Sequence, residues 1–252
     1  MNSLLYDGER IDEVNDRLRL IQKPDGLTFG TDALLLAGYI NGKGLCGLEL
    51  GSGSGIISML LLTRGKLASA TALEVQKEYA DLTERNAALN GLSERLITKN
   101  VDIRDFSGGG SFELVFSNPP YMTASCGRAN ELSRKNIARH EIKGGIADFC
   151  ECAKRSLKYG GTLAMVYRPD RLTDLLFAMR SCSLEPKRAT FVHADFESES
   201  SMVLIEARLG GKCGMKLTAP LIIYKDKGHK QYTDDMEYIM ENGFFPDKYK
   251  RI

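Results

Sequence analysis

No two of the six cysteines stand in a CxxC pair; Cys46, Cys126, Cys150, Cys152, Cys182 and Cys213 are scattered along the chain. Neither a zinc cluster nor a disulfide framework is therefore expected in a sequence with ample apolar residues for its own core. Cys150 and Cys152 lie two residues apart in a helical pattern and point about 200° from each other, which does not suit one metal ion. Long apolar runs are lacking as well. The longest, 33–40 and 55–62, fall far short of the roughly 20 residues that span a bilayer. The opening residues, MNSLLYDGER, show no basic stretch followed by an apolar one, so nothing suggests export and a cytoplasmic location is expected. Excess charge is missing: 34 Lys/Arg against 33 Asp/Glu give a formal net charge of +1. No internal repeat is visible.

What is present points to a folded, enzyme-sized chain. Its 252 residues are 43% hydrophobic and charge-balanced, which excludes disorder as the dominant state. The balance hides an asymmetry, because residues 122–190 carry thirteen Lys/Arg against seven Asp/Glu. A basic region of this kind can meet a polyanion while the overall charge stays near zero.

From residue 45 onward strand-like and helix-like runs alternate. Residues 45–50 form a short apolar run ending at glycines, and 55–64 a nearly all-apolar helix expected to lie buried against a sheet. Strands are expected at 69–75, 96–101 and 112–117, with a helix over 76–90 that Gly91 stops. Ile146, Phe149, Cys150, Ala153 and Leu157 mark one helix face, ended by Gly160 and Gly161 before a strand at 162–167. Leu172, Leu175, Leu176 and Met179 mark another, with Asp170 as its expected cap. Strands at 189–193 and 202–207 close the series as a hairpin. This alternation predicts an α/β, Rossmann-like doubly wound sheet with a C-terminal antiparallel hairpin. Residues 45–210 are the expected core, 1–44 a short extension closing over its site, and 211–252 a tail of the same domain.

The turn after the first core strand reads Glu49-Leu50-Gly51-Ser52-Gly53-Ser54-Gly55. Glycines at 51, 53 and 55 let the backbone turn sharply and approach a ligand closely. Their GxGxG spacing differs from the GxGxxG of nicotinamide-binding turns. Glu74 closes the second strand, where a carboxylate can accept from both hydroxyls of a ribose, and Asp102 closes the third, where it could accept from an adenine amine. Acids repeated at strand ends favour a nucleoside cofactor without phosphates. After the fourth strand comes Asn118-Pro119-Pro120-Tyr121. Two prolines stiffen this loop and remove donors. The Asn118 side-chain oxygen and the Pro119 carbonyl then form a pair of acceptors suited to an –NH₂ group, and Tyr121 offers a face for a planar one.

These motifs resemble those of the S-adenosylmethionine-dependent class I methyltransferases that carry Asn-Pro-Pro-Tyr and modify amino or amide nitrogens. Residues 29–37 (FGTDALLLA), 138–141 (ARHE), 220–224 (PLIIY) and 232–233 (YT) are similar to the bacterial tRNA1(Val) adenine-37 N6-methyltransferase group. The resemblance implies a seven-stranded class I methyltransferase sheet and S-adenosyl-L-methionine as cofactor. It implies cofactor contacts from Thr31, Asp32, Glu49, Gly51, Gly53, Gly55, Glu74, Asp102 and Asn118, and a catalytic Asn118–Tyr121 loop. It also implies a tRNA substrate, for which Arg128, Arg134, Lys135, Arg139 and Lys143 are the expected phosphate contacts. Neither a membrane nor an obligate protein partner is called for. Protein-glutamine N5-methylation, methylation of adenine in rRNA or DNA, and a non-catalytic cofactor- and RNA-binding module remain the alternatives.

Overall fold

A computed structural model describes residues 4–23, 30–120 and 145–250. Short runs of alternating or continuous apolar residues build strands β1 (Arg10–Asn15), β2 (Leu18–Gln22), β3 (Leu45–Leu50), β4 (Leu67–Glu74), β5 (Leu96–Asn100), β6 (Phe112–Ser117), β7 (Leu157–Tyr167), β8 (Leu184–His193), β9 (Ser200–Leu209), β10 (Lys216–Leu217) and β11 (Leu221–Ile222). Helices α1 (Thr31–Tyr39), α2 (Ile56–Thr63), α3 (Lys77–Leu89), α4 (Ile146–Ser156), α5 (Leu172–Ser181) and α6 (Asp234–Asn242) lie between and after them. The sheet runs β10-β8-β9-β7-β6-β3-β4-β5, with β11 also joined to β8. Pairs among β3 to β7 are parallel, whereas β9 pairs antiparallel with both β7 and β8.

The seven expected strands are β3 to β9, but among the described residues the sheet has nine. The tail supplies the other two, each of two residues, laid parallel on β8. Two further expectations are corrected. Gly160 and Gly161 do not end a helix: α4 stops at Ser156 and β7 begins at Leu157. The glycines lie within β7, where the register slips between Phe112↔Leu157 and Leu114↔Thr162 and Gly160 takes φ +77°. Asp170 does not cap α5 either. Arg168 donates to it instead, and the helix starts at Leu172 without a side-chain cap.

Apolar side chains fill both faces of the sheet. On one, the largely apolar α2 packs with α1, β2 and the tail residues Ile239, Phe245 and Tyr249. On the other, Phe149, Cys150 and Ala153 of α4 meet Leu175 and Met179 of α5. The N-terminal ribbon β1–β2 is fastened to α3: Asn86 Oδ1 accepts from Ile21 N at 2.6 Å, and Asn90 Oδ1 from Arg19 N at 3.0 Å. Two buried basic side chains tie down the C-terminal end of α1. Lys66 Nζ donates to the Ala37 and Gly38 carbonyls at 2.6 and 3.0 Å, and burial lowers its pKa to about 6. Arg188, wholly buried, donates to the carbonyls of Tyr39 and Tyr249, both at 2.7 Å, and pairs with Glu206. Extension, sheet and tail thus share one core.

Candidate active site

Strand β3 pairs with β4 on one side and β6 on the other. The chain lays β3, β4 and β5 outward in one direction and then returns to the other side of β3. The connections at the carboxyl ends of β3 and β6 therefore leave in opposite directions and open a crevice. The turn after β3 enters it. Gly51, Gly53 and Gly55 have φ of +72°, +55° and +79°, the left-handed region in which a Cβ is unfavourable. Gly51 N and Ser52 N donate to the Leu73 carbonyl at 2.9 and 3.0 Å, which holds the turn against the end of β4. At Gly55 space is also short: a Cβ would stand 2.7 Å from Thr83 Cγ2 on α3.

Acids line this crevice. The Glu74 carboxylate, buried at the end of β4, accepts from Gly53 N at 3.0 Å and from Gln76 N at 2.8 Å. Each of its oxygens keeps a lone pair for a further donor. Glu49 lies wholly buried on β3 and accepts from Ser58 Oγ at 2.5 Å and Ser58 N at 3.2 Å. Loss of water raises its pKa to about 8 despite those donors, and the nearby Glu74 pushes the same way. Asp102 lies two residues beyond the end of β5 rather than in the strand. Arg104 grips it with both guanidinium and backbone donors, which holds its pKa below the ordinary carboxylate value.

On the opposite wall, Ser117 Oγ donates to the Leu50 carbonyl at 2.6 Å and joins the ends of β6 and β3. Asn118 follows at once. Its Nδ2 donates to Asp32 Oδ2 at 2.8 Å, while its Oδ1 is buried with no hydrogen-bond partner among the described residues. A buried acceptor left unpaired is costly, and such groups mark places where something else supplies the donor. Asp32 stands in the first turn of α1, whose N-cap is Gly30, so neither Thr31 nor Asp32 caps the helix.

These elements enclose a cavity of about 570 Å³, within the range that holds a small molecule. Of the residues expected there, Asp32, Glu49, Gly51, Gly53, Glu74, Asp102, Asn118, Pro119 and Pro120 line it; Thr31 and Gly55 do not. The wall also includes Val75, Gln76, Tyr79, Ile103 and Phe149, which sequence reasoning missed. Gln76 and Tyr79 open α3 directly after Glu74, so their nearness to that strand end was a usable signal. Phe149 carried none, being an ordinary member of an apolar helix face. Tyr121, Arg128, Arg134, Lys135, Arg139 and Lys143 lie outside the described residues.

A profile of the methyltransferase small domain family matches residues 25–175. The tRNA1(Val) (adenine(37)-N6)-methyltransferase of Pedobacter heparinus is 32% identical over 220 residues, 86% of this chain and 91% of that protein. The chain belongs to the methyltransferase small domain family. A Porphyromonas gingivalis protein of the same description is 29% identical to this small-domain methyltransferase over 203 residues, 76% of this chain and 78% of its own. Among solved structures, a protein described as a predicted O-methyltransferase from Agrobacterium tumefaciens superposes with a TM-score of 0.69 at 21% identity, covering 85% of this chain and 98% of that one. A methyltransferase from Pyrococcus furiosus gives 0.59 at 19% identity, over 79% and 92% of the two chains. At those identities the likeness speaks for the shared fold.

Proposed function

We propose that this methyltransferase transfers a methyl group from S-adenosylmethionine to the N6 amine of an adenine in RNA, and that the base is adenine 37 of tRNA1(Val). The observation that carries the chemistry is the buried Oδ1 of Asn118, unpaired among the described residues, beside Pro119 at the wall of an acid-lined cavity. The relatives named for tRNA1(Val) adenine-37 support the choice of substrate. Residues 45–210 then form the catalytic core, with α1 of the N-terminal extension completing its site. A tRNA substrate also fits a cytoplasmic location.

The residues present suit the cofactor. Glu74 would take the ribose hydroxyls on its remaining lone pairs, the glycine turn admits the ligand close to the backbone, and Val75, Tyr79 and Ile103 offer apolar surface for a purine. When bound, S-adenosylmethionine supplies a methyl group activated by its sulfonium. The protein's share of the work is orientation. An exocyclic adenine amine is a weak nucleophile because its lone pair is delocalised into the ring. Asn118 Oδ1 and the Pro119 carbonyl accept its two hydrogens, bias the nitrogen toward tetrahedral geometry and hold the lone pair in line. Alignment of this kind is worth up to about 7–11 kcal/mol in well-ordered systems. No strong base is needed, since the alkylated ammonium gives up its proton readily. A base in a single-stranded loop is also cheap to present to such a pocket.

Asn118→Ala tests the assignment. Methyl incorporation into tRNA is expected to fall at least about 100-fold while calorimetric affinity for S-adenosylmethionine stays within a few-fold. Full activity in that variant would remove Asn118 from the chemistry.

A further inference from the structure

We propose that Asp32 is a positioning residue for methyl transfer: it fixes the rotation of the Asn118 amide so that the carbonyl oxygen, and not the –NH₂ end, meets the substrate amine. The inference rests on the reading that Asn118 accepts from that amine, and it deepens that reading by naming what makes Asn118 an acceptor.

An asparagine amide has two ends of nearly equal size, one a donor and one an acceptor, and a half-turn about its terminal torsion exchanges them. Only the hydrogen bonds around it decide which end faces where. Here Asp32 Oδ2 accepts from Asn118 Nδ2 at 2.8 Å. A flipped amide would lose this charge-assisted bond and set a carbonyl oxygen against a carboxylate oxygen. The carboxylate thereby enforces the orientation that leaves Oδ1 buried and without a partner among the described residues.

Asp32 is itself anchored. Its Oδ1 accepts from Ala33 N at 2.9 Å in the first turn of α1, where helix N–H groups favour an anion. Gly30 makes room for this arrangement, because a Cβ there would stand 2.6 Å from that same Oδ1. The Gly-Thr-Asp start of α1 thus brings a carboxylate to a residue 86 positions further along the chain. The consequence is selectivity. With its –NH₂ end engaged, the Asn118–Pro119 pair shows the substrate acceptors only. It receives a 6-amino purine and opposes a 6-oxo purine, whose oxygen would face two other oxygens.

The test exchanges the two partners' chemistry and measures kcat and KM on tRNA together with S-adenosylmethionine affinity. Asp32→Asn lets the amide turn either way, and kcat is expected to fall at least about tenfold with cofactor affinity within about threefold. Asn118→Asp alone sets two carboxylates face to face and should cost at least about 100-fold in kcat. The double variant Asp32→Asn/Asn118→Asp restores one donor opposite one acceptor and leaves a second carboxylate oxygen for the substrate. It is expected to recover at least about tenfold over Asn118→Asp alone. Gly30→Ala, which displaces the Asp32 carboxylate without removing it, should lower kcat in the same direction as Asp32→Asn. Additive losses in the double variant would overturn the assignment, because independent sites add and a coupled pair does not. So would a loss of cofactor affinity in Asp32→Asn as large as its loss of kcat. An active wild type with either result condemns the role of Asp32 alone; a wild type that methylates no adenine amine condemns the reading beneath it.

Discussion

Glu49 shows how far one residue can depart from its ordinary chemistry when the fold requires it. Its carboxyl sits buried beneath the glycine turn, and its pKa rises from 4.5 to about 8. Between those values the folded protein holds a proton that the unfolded chain releases, so the residue makes stability fall as pH rises. Glu49→Gln keeps the shape and removes the titration. Its unfolding midpoint in urea is expected to gain on the wild type progressively from pH 5 to pH 8. Parallel profiles for the two proteins would show that Glu49 is ionised throughout that range. At this scale the sequence was informative about type but not about partnership. Glu49, Glu74 and Asn118 stood out because acids and an amide recurred at strand ends beside glycines and prolines. That Asp32 would meet Asn118 could not be read, because no local pattern links a helix start to a loop 86 residues away.

Among the elements, the turn from β3 to α2 carries the heaviest backbone constraint. Gly53 and Gly55 both have positive φ, yet their surroundings differ: no atom of the described residues stands within 4 Å of a Cβ at Gly53, whereas one at Gly55 would meet Thr83 at 2.7 Å. Gly55→Ala combines strain with a clash and should destabilise the protein by about 1–3 kcal/mol, more than Gly53→Ala, which adds strain alone. Urea denaturation of the two variants decides the order; an equal loss would mean that α3 yields without cost. Most elements were legible from periodicity, β3 and β6 to the residue. Those misjudged share a cause. Glycines at 160–161 signal a helix end in isolation, but the partner strand β6 accommodates them inside β7 as a bulge. Asp170 has the chemistry of a cap, yet Arg168 two residues away competes for it. Strands of two residues, such as β10 and β11, are too short to display a period and exist only because β8 offers a free edge.

The whole molecule assembles its site from distant parts. The extension contributes Asp32 through α1, the core contributes the glycine turn and the acids, and the tail holds α1 in place as Phe245 packs on Tyr39 and Arg188 of β8 donates to the carbonyls of both Tyr249 and Tyr39. Composition alone did not reveal this cooperation, since residues 1–44 and 211–252 show little regular pattern in sequence. The central claim is that the assembled pocket methylates N6 of adenine 37 in tRNA1(Val). The most direct measurement incubates the protein with labelled S-adenosylmethionine and an unmodified tRNA1(Val) transcript, then locates the product by nucleoside and fragment mass spectrometry. The account predicts N6-methyladenosine at position 37 and no label in a transcript carrying guanine there. Label confined to protein glutamine, to ribosomal RNA or to DNA, or a methyl group at another atom of the tRNA, would contradict it.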